Sequence, residues 1–117
     1  MHRPERDLVK AIKDYLKILE NLGQIVHFDR LNSGKIPMGR GPNKRLIVCC
    51  REGTPDLFVV LKTGAIIWIE AKSDKGVLSH HQVRFRNKFS RVPGHLWLEI
   101  RSMDQLMDQL ARLGVLK

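Results

Sequence analysis

The chain has 117 residues, 43% of them hydrophobic and 28% charged, with a formal net charge of +9. That length suits one domain, residues 1–117, built around a single hydrophobic core. No apolar run approaches the roughly 20 residues that a membrane-spanning helix needs, and the basic excess favours a polyanionic partner, nucleic acid being the commonest.

A helix is expected from about Pro4 to Leu22, with Pro4 suited to its first turn and Gly23 to the position just past its end. Leu8, Val9, Ile12, Tyr15, Leu16, Leu19 and Leu22 recur at helical spacing and form its apolar face. Gln24 to Leu31 reads as a strand. Asn32-Ser33-Gly34 then opens a loop containing Pro37, Gly39, Gly41 and Pro42, and Leu46 to Cys50 is a second β-like run. Asp56 to Leu61 and Ala65 to Ala71 are strands joined by the turn Lys62-Thr63-Gly64, both apolar on both faces, as in the middle of a covered sheet. A second helix runs from Ser79 to about Arg91, ahead of Pro93-Gly94. His95 to Ile100 is a last strand, and Ser102 caps a third helix with Met103, Leu106, Met107 and Leu110 on its core side. The order of elements predicts an α/β fold with a mixed β-sheet flanked by α-helices.

The two cysteines, Cys49 and Cys50, are adjacent and point to opposite faces of an extended strand, so they neither staple a loop nor have zinc-site spacing. They read as small half-buried strand residues. With no signal-peptide apolar segment in Met1-His2-Arg3-Pro4-Glu5, a reducing cytoplasmic setting is expected.

Chemistry concentrates at Gly53-Thr54-Pro55-Asp56 and Glu70-Ala71-Lys72. These place two carboxylates and an ammonium where the sequence otherwise calls for an apolar sheet, and such groups are costly to desolvate unless they pair or hold a metal. Strand alternation puts Glu70 and Lys72 on one face, and a hairpin brings Asp56 alongside. Two converging carboxylates offer hard oxygen ligands suited to Mg²⁺. Hydrolysis of a phosphodiester needs an activated water and a stabilised oxyanion, which a divalent ion and a nearby ammonium supply. Glu-x-Lys alone occurs by chance about once per 300 positions. Here it closes the run Ile-Ile-Trp-Ile and pairs with Pro-Asp at the mouth of another apolar strand.

Between Arg30 and Arg51 there are six basic residues (Arg30, Lys35, Arg40, Lys44, Arg45 and Arg51) and no acidic one. The second helix adds Arg84, Arg86, Lys88 and Arg91. These are expected to bind DNA phosphates without reading sequence, although a solvated helix face accounts equally for Arg86 and Lys88. His80 and His81 read as a solvated helix start, and neither has a zinc-spaced partner.

Pro55-Asp56…Glu70-Ala71-Lys72 resembles the signature of the PD-(D/E)xK nuclease superfamily. Together with Ile69 and Gly76-Val77-Leu78-Ser79-His80-His81-Gln82, it resembles one branch, the virus-type replication-repair nuclease (VRR-NUC) domain, in its small stand-alone phage and bacterial form. The resemblance implies a restriction-endonuclease-like core in which Asp56, Glu70 and the backbone carbonyl of Ala71 bind Mg²⁺ or Mn²⁺, Lys72 assists the attacking water, and a first-helix glutamate, best matched by Glu5, joins the metal site. Glu5 also fits a first-turn acid favoured by the helix dipole. Gln82 is implied near the active site, while Ser79-x-x-Gln82 is equally a capping box.

The expected function is a Mg²⁺-dependent, structure-specific DNA endonuclease acting on branched DNA, above all Holliday (four-way) junctions in DNA repair. It is expected as a homodimer in a bacterial or phage-infected cell, with no small-molecule cofactor and no membrane partner. The alternatives are a flap, nicking or restriction-like nuclease, and a DNA-binding module whose nuclease site has decayed.

Overall fold

The structure, a computed structural model, describes the backbone of residues 3–31 and 34–116, and the side chains of these except residues 3, 34–37 and 46–49. Its elements are α1 (Arg3–Asn21), β1 (His27–Arg30), β2 (Gly34–Met38), β3 (Arg45–Cys50), β4 (Leu57–Val60), β5 (Ile66–Ala71), α2 (His80–Phe89), β6 (His95–Ile100) and α3 (Met103–Arg112). The fold is α/β. A mixed four-stranded sheet in the order β1-β4-β5-β6 carries helices on both faces, with β5 and β6 parallel across the α2 connection and the other pairs antiparallel.

One face of the sheet is the core. Leu57 and Val59 of β4 and Ile67, Ile69 and Ala71 of β5 meet Val9, Ile12, Leu16 and Leu19 of α1 and Leu106 and Leu110 of α3, all fully or almost fully buried. Strand alternation sends Phe58 and Trp68 to the opposite face, where Phe85 and Phe89 of α2 cover them. The Trp68 indole N–H donates to His95 Nδ1 at 2.9 Å. That second face is only half-buried, because a single ten-residue helix lies on it.

Leu22, expected on the α1 stripe, is 66% exposed. The helix ends at Asn21, and the N–H groups of Gly23 and Gln24 turn back to Glu20 O and Leu19 O, closing the helix with Gly23 at φ +73°. The same closure occupies Gln24 and holds the first strand to His27–Arg30, shorter than Gln24 to Leu31. Met107 is 38% exposed at the margin of α3, because the Leu106–Leu110 line defines the buried stripe and Met107 lies about 80° round from it.

The largest departure from expectation lies between Asn32 and Cys50. Residues 34–38, expected as loop, are strand β2, which pairs antiparallel with β3 in a sheet of their own and is joined to it through a 3-10 turn at Gly41–Asn43. Pro37 is compatible with this because each strand of a two-stranded ribbon has a free edge on which no backbone N–H is required. Among the described residues the ribbon contacts no other element, and the molecule measures 53 × 30 × 28 Å. The ribbon is an arm.

Candidate active site at the mouth of the sheet

The register of β4 against β5 assembles the site. Leu57 faces Ile69, so Asp56, one residue before, and Glu70, one residue after, meet where β4 begins and β5 ends. Alternation along β5 then puts Trp68, Glu70 and Lys72 on the α2 side of the sheet. Asp56, Glu70 and Lys72 are 8%, 3% and 8% exposed, and they are the buried charged residues among those described.

Each carboxylate is held by one oxygen. The backbone N–H of Ala71 donates to Asp56 Oδ2 at 2.8 Å. In an extended strand a residue's N–H and C=O point to the same edge, so the Ala71 carbonyl faces the Asp56 side as well. The side-chain amide of Gln82 donates to Glu70 Oε1 at 2.9 Å, while Glu70 Oε2 is buried without a hydrogen-bond partner. Burial pushes the Glu70 carboxyl up to about 9. The Asp56 charge acts in the same direction and Lys72 opposes it. Burial also raises Asp56 above the ordinary carboxylate range, against the Ala71 N–H, the neighbouring Glu70 carboxyl and the Lys72 charge. The site therefore strains against its own negative charge.

Gln82 fills both roles left open by the sequence. Ser79 N–H donates to Gln82 Oε1 at 2.8 Å and Gln82 N–H donates to Ser79 Oγ, a complete capping box, while the other end of the same amide holds Glu70. One side chain starts α2 and orients the carboxylate.

Glu5 reaches the same mouth from the first turn of α1. Its Oε1 accepts from Ser73 N–H at 3.4 Å, and its charge is felt by both Asp56 and Glu70. It does not close a three-carboxylate cluster: among the described residues no group of three or more His, Cys, Asp or Glu is arranged to hold an ion. The donor set is two carboxylates and a carbonyl, which fits an ion such as Mg²⁺ that keeps much of its water.

Sequence reasoning missed Arg101. Its guanidinium donates to the carbonyls of Ser73 at 2.6 Å and Gly76 at 2.8 Å and pairs with Glu99, pinning the loop 73–76 that follows Lys72. A Cβ on Gly76 would stand 2.9 Å from Glu5 Oε1 and 3.3 Å from Lys72 Cδ, so this loop fits closely over the site. The available signal was weak, a single arginine just past the last strand.

The basic residues fall into two groups. Arg40, Lys44 and Arg45 are exposed at the far end of the arm, whereas Arg51 and Arg84 line one cleft between the arm's base and α2. Arg30 is exposed at the end of β1, where the next residue, Leu31, donates its N–H to Asp56 O. The side chain of Lys35 lies outside the described residues, as does that of Cys49. Cys50 is a free, half-buried thiol. His81 Nε2 meets Glu52 at 3.0 Å and His80 Nε2 meets Arg84 at 2.9 Å. Among the described residues no helix is long and apolar enough to cross a membrane.

Compared with family models, curated proteins and solved structures, the chain matches none.

Proposed function

We propose that the protein is a metal-dependent endodeoxyribonuclease of the VRR-NUC type that hydrolyses phosphodiester bonds in branched DNA. The observation that carries this reading is the burial together of Asp56, Glu70 and Lys72 with Glu70 Oε2 left without a partner. Two adjacent buried carboxylates facing one ammonium are unfavourable as a purely structural device, because removing water from each charge costs several kcal/mol.

Asp56, Glu70 and the Ala71 carbonyl would hold a divalent cation, Mg²⁺ or Mn²⁺, which would supply polarisation of the phosphoryl oxygen and acidification of a water. The chain's own groups do the rest. Gln82 and the Ala71 N–H each fix one oxygen of a carboxylate and so leave the other to face the site. Lys72 orients the attacking water and balances the charge that grows on phosphorus as the new P–O bond forms and the bond to the leaving oxygen breaks. Glu5, half-buried beside Ser73, is placed to accept a proton at the rim. The exposed cations of the arm and α2 hold the phosphate backbone.

Cutting a four-way junction symmetrically takes two active sites, and a two-fold homodimer supplies them. The arm supports this. A free two-stranded ribbon is marginally stable by itself, and this one carries the run Leu46-Ile47-Val48-Cys49-Cys50.

The test is cleavage with Mg²⁺ of a four-way junction, a flap and a linear duplex by the wild type, Asp56→Asn and Lys72→Ala. Junction cleavage lost in both variants with DNA binding retained is the expected result. Binding without cleavage by wild type and variants alike would point to a non-catalytic DNA-binding module. A monomer on gel filtration at micromolar concentration would remove the dimer.

A further inference from the structure

A second concavity opens on the α2 side of the sheet. It is a cleft of about 470 Å³ between the segment 51–54 and the flank of α2 that carries Phe85 and Phe89. Phe85 and Phe89 make an apolar wall, their rings stacked with centroids 4.4 Å apart. Arg51, Arg84 and Lys88 stand around it, and among the described residues none of the three pairs with a carboxylate.

The cleft is built onto the active site. Gly53, at φ +91°, lies so close to α2 that a Cβ there would fall 2.4 Å from His81 O, and the Glu52–His81 pair closes the same contact. From this junction the chain reaches Asp56 in three residues, and His81 adjoins Gln82, which holds Glu70. The cleft is therefore tied to Asp56 by a stretch of chain that spans at most about 10 Å.

We infer that the cleft receives one unpaired nucleotide adjacent to the scissile phosphate, its base against Phe85 and Phe89 and its phosphate against Arg51, Arg84 and Lys88. This deepens the nuclease reading and rests on it. The size suits a single nucleotide, since pockets for ligands of that class begin at about 300 Å³. Cations alone would hold a phosphate of any duplex. The phenyl wall adds a surface that a stacked, paired base cannot reach, and bases bind aromatic side chains regardless of sequence. Substrate choice then follows from DNA structure: branch points, flaps and junction centres present a base that leaves its stack cheaply, and linear duplex does not.

The test compares two forked duplexes that differ only at one unpaired position beside the branch, a thymidine in one and an abasic linker in the other. The position is scanned over the three nucleotides on each side of the branch. Binding is read by fluorescence anisotropy with Ca²⁺ in place of Mg²⁺, and cleavage is read separately with Mg²⁺. At one position the wild type is expected to bind the base-bearing DNA about tenfold more tightly. Phe85→Leu is expected to abolish that preference, and Arg84→Ala to weaken both DNAs alike. Equal wild-type affinity for the two DNAs at every position, with cleavage intact, overturns the cleft assignment and leaves the nuclease reading standing. Absence of cleavage on every DNA together with equal affinities overturns both. The wild-type comparison needs no variant, so a Phe85 substitution that fails to fold does not rescue the inference.

Discussion

Replacing Glu70 by glutamine is expected to stabilise the metal-free protein while abolishing cleavage. The Glu70 carboxyl has a reference value of 4.5 and is pushed up to about 9 in the fold, by burial first and by Asp56 second. A carboxyl with a raised folded value binds its proton more tightly in the folded state. Its contribution to stability is therefore level below pH 4.5 and is progressively lost as pH rises toward 9. At pH 7 folding must place a proton on a group that is ionised in the unfolded chain. The cost is about 1.4 kcal/mol for each pH unit above 4.5, or about 3.5 kcal/mol.

Glutamine removes that cost and keeps the geometry. Its carbonyl oxygen accepts from Gln82 as Glu70 Oε1 does at 2.9 Å, and its NH₂ replaces the partnerless Oε2. Urea melts in EDTA at pH 4.5, 6 and 7 are expected to show a gain close to zero at the lowest pH, growing to about 2–3 kcal/mol at pH 7, or about 10 °C in Tm. Mg²⁺ is expected to raise the melting temperature of the wild type and not that of Glu70→Gln. A variant less stable than wild type at pH 7, or a difference independent of pH, would refute the claim that buried like charge dominates this site.

Arg101→Met removes the guanidinium that holds Ser73 O and Gly76 O, and is expected to cost about 2 kcal/mol and to lower kcat far more than DNA affinity. Calorimetry beside single-turnover cleavage checks this, and an unchanged kcat would deny Arg101 a positioning role. Gln82→Glu keeps the acceptor that caps α2 but turns the donor facing Glu70 into a second acceptor. Cleavage should fall, and stability should drop increasingly as pH rises from 5 to 8, as circular dichroism melts would register. Replacing Arg40, Lys44 and Arg45 together by serine should change stability by no more than about 0.5 kcal/mol per site, because all three are exposed. It should also flatten the slope of log binding constant against log salt by up to about 0.9 per lost phosphate contact. An unaltered slope would remove the arm from the DNA-binding surface.

Much of the body of the protein was written in local pattern. The α1 stripe Val9, Ile12, Leu16 and Leu19 follows from 3.6-residue spacing. The strands of the main sheet follow from short apolar runs between turn residues, and the capped starts of α2 and α3 from Ser79 and Ser102. The meeting of Asp56 and Glu70 was legible for the same reason, since a tight turn between two apolar strands fixes the register. Burial and pairing are not properties of a segment, and these only the tertiary structure decided. Glu70 Oε2 is partnerless because of how α2 lies on β5, and Gln82 serves cap and carboxylate at once because its amide has two ends in two environments. Arg101 reaches the loop 73–76 across 28 residues of sequence from Ser73. The β2–β3 arm escaped prediction because glycines and Pro37 signal a loop locally, whereas pairing with β3 is a contact between two segments that no single-segment propensity encodes.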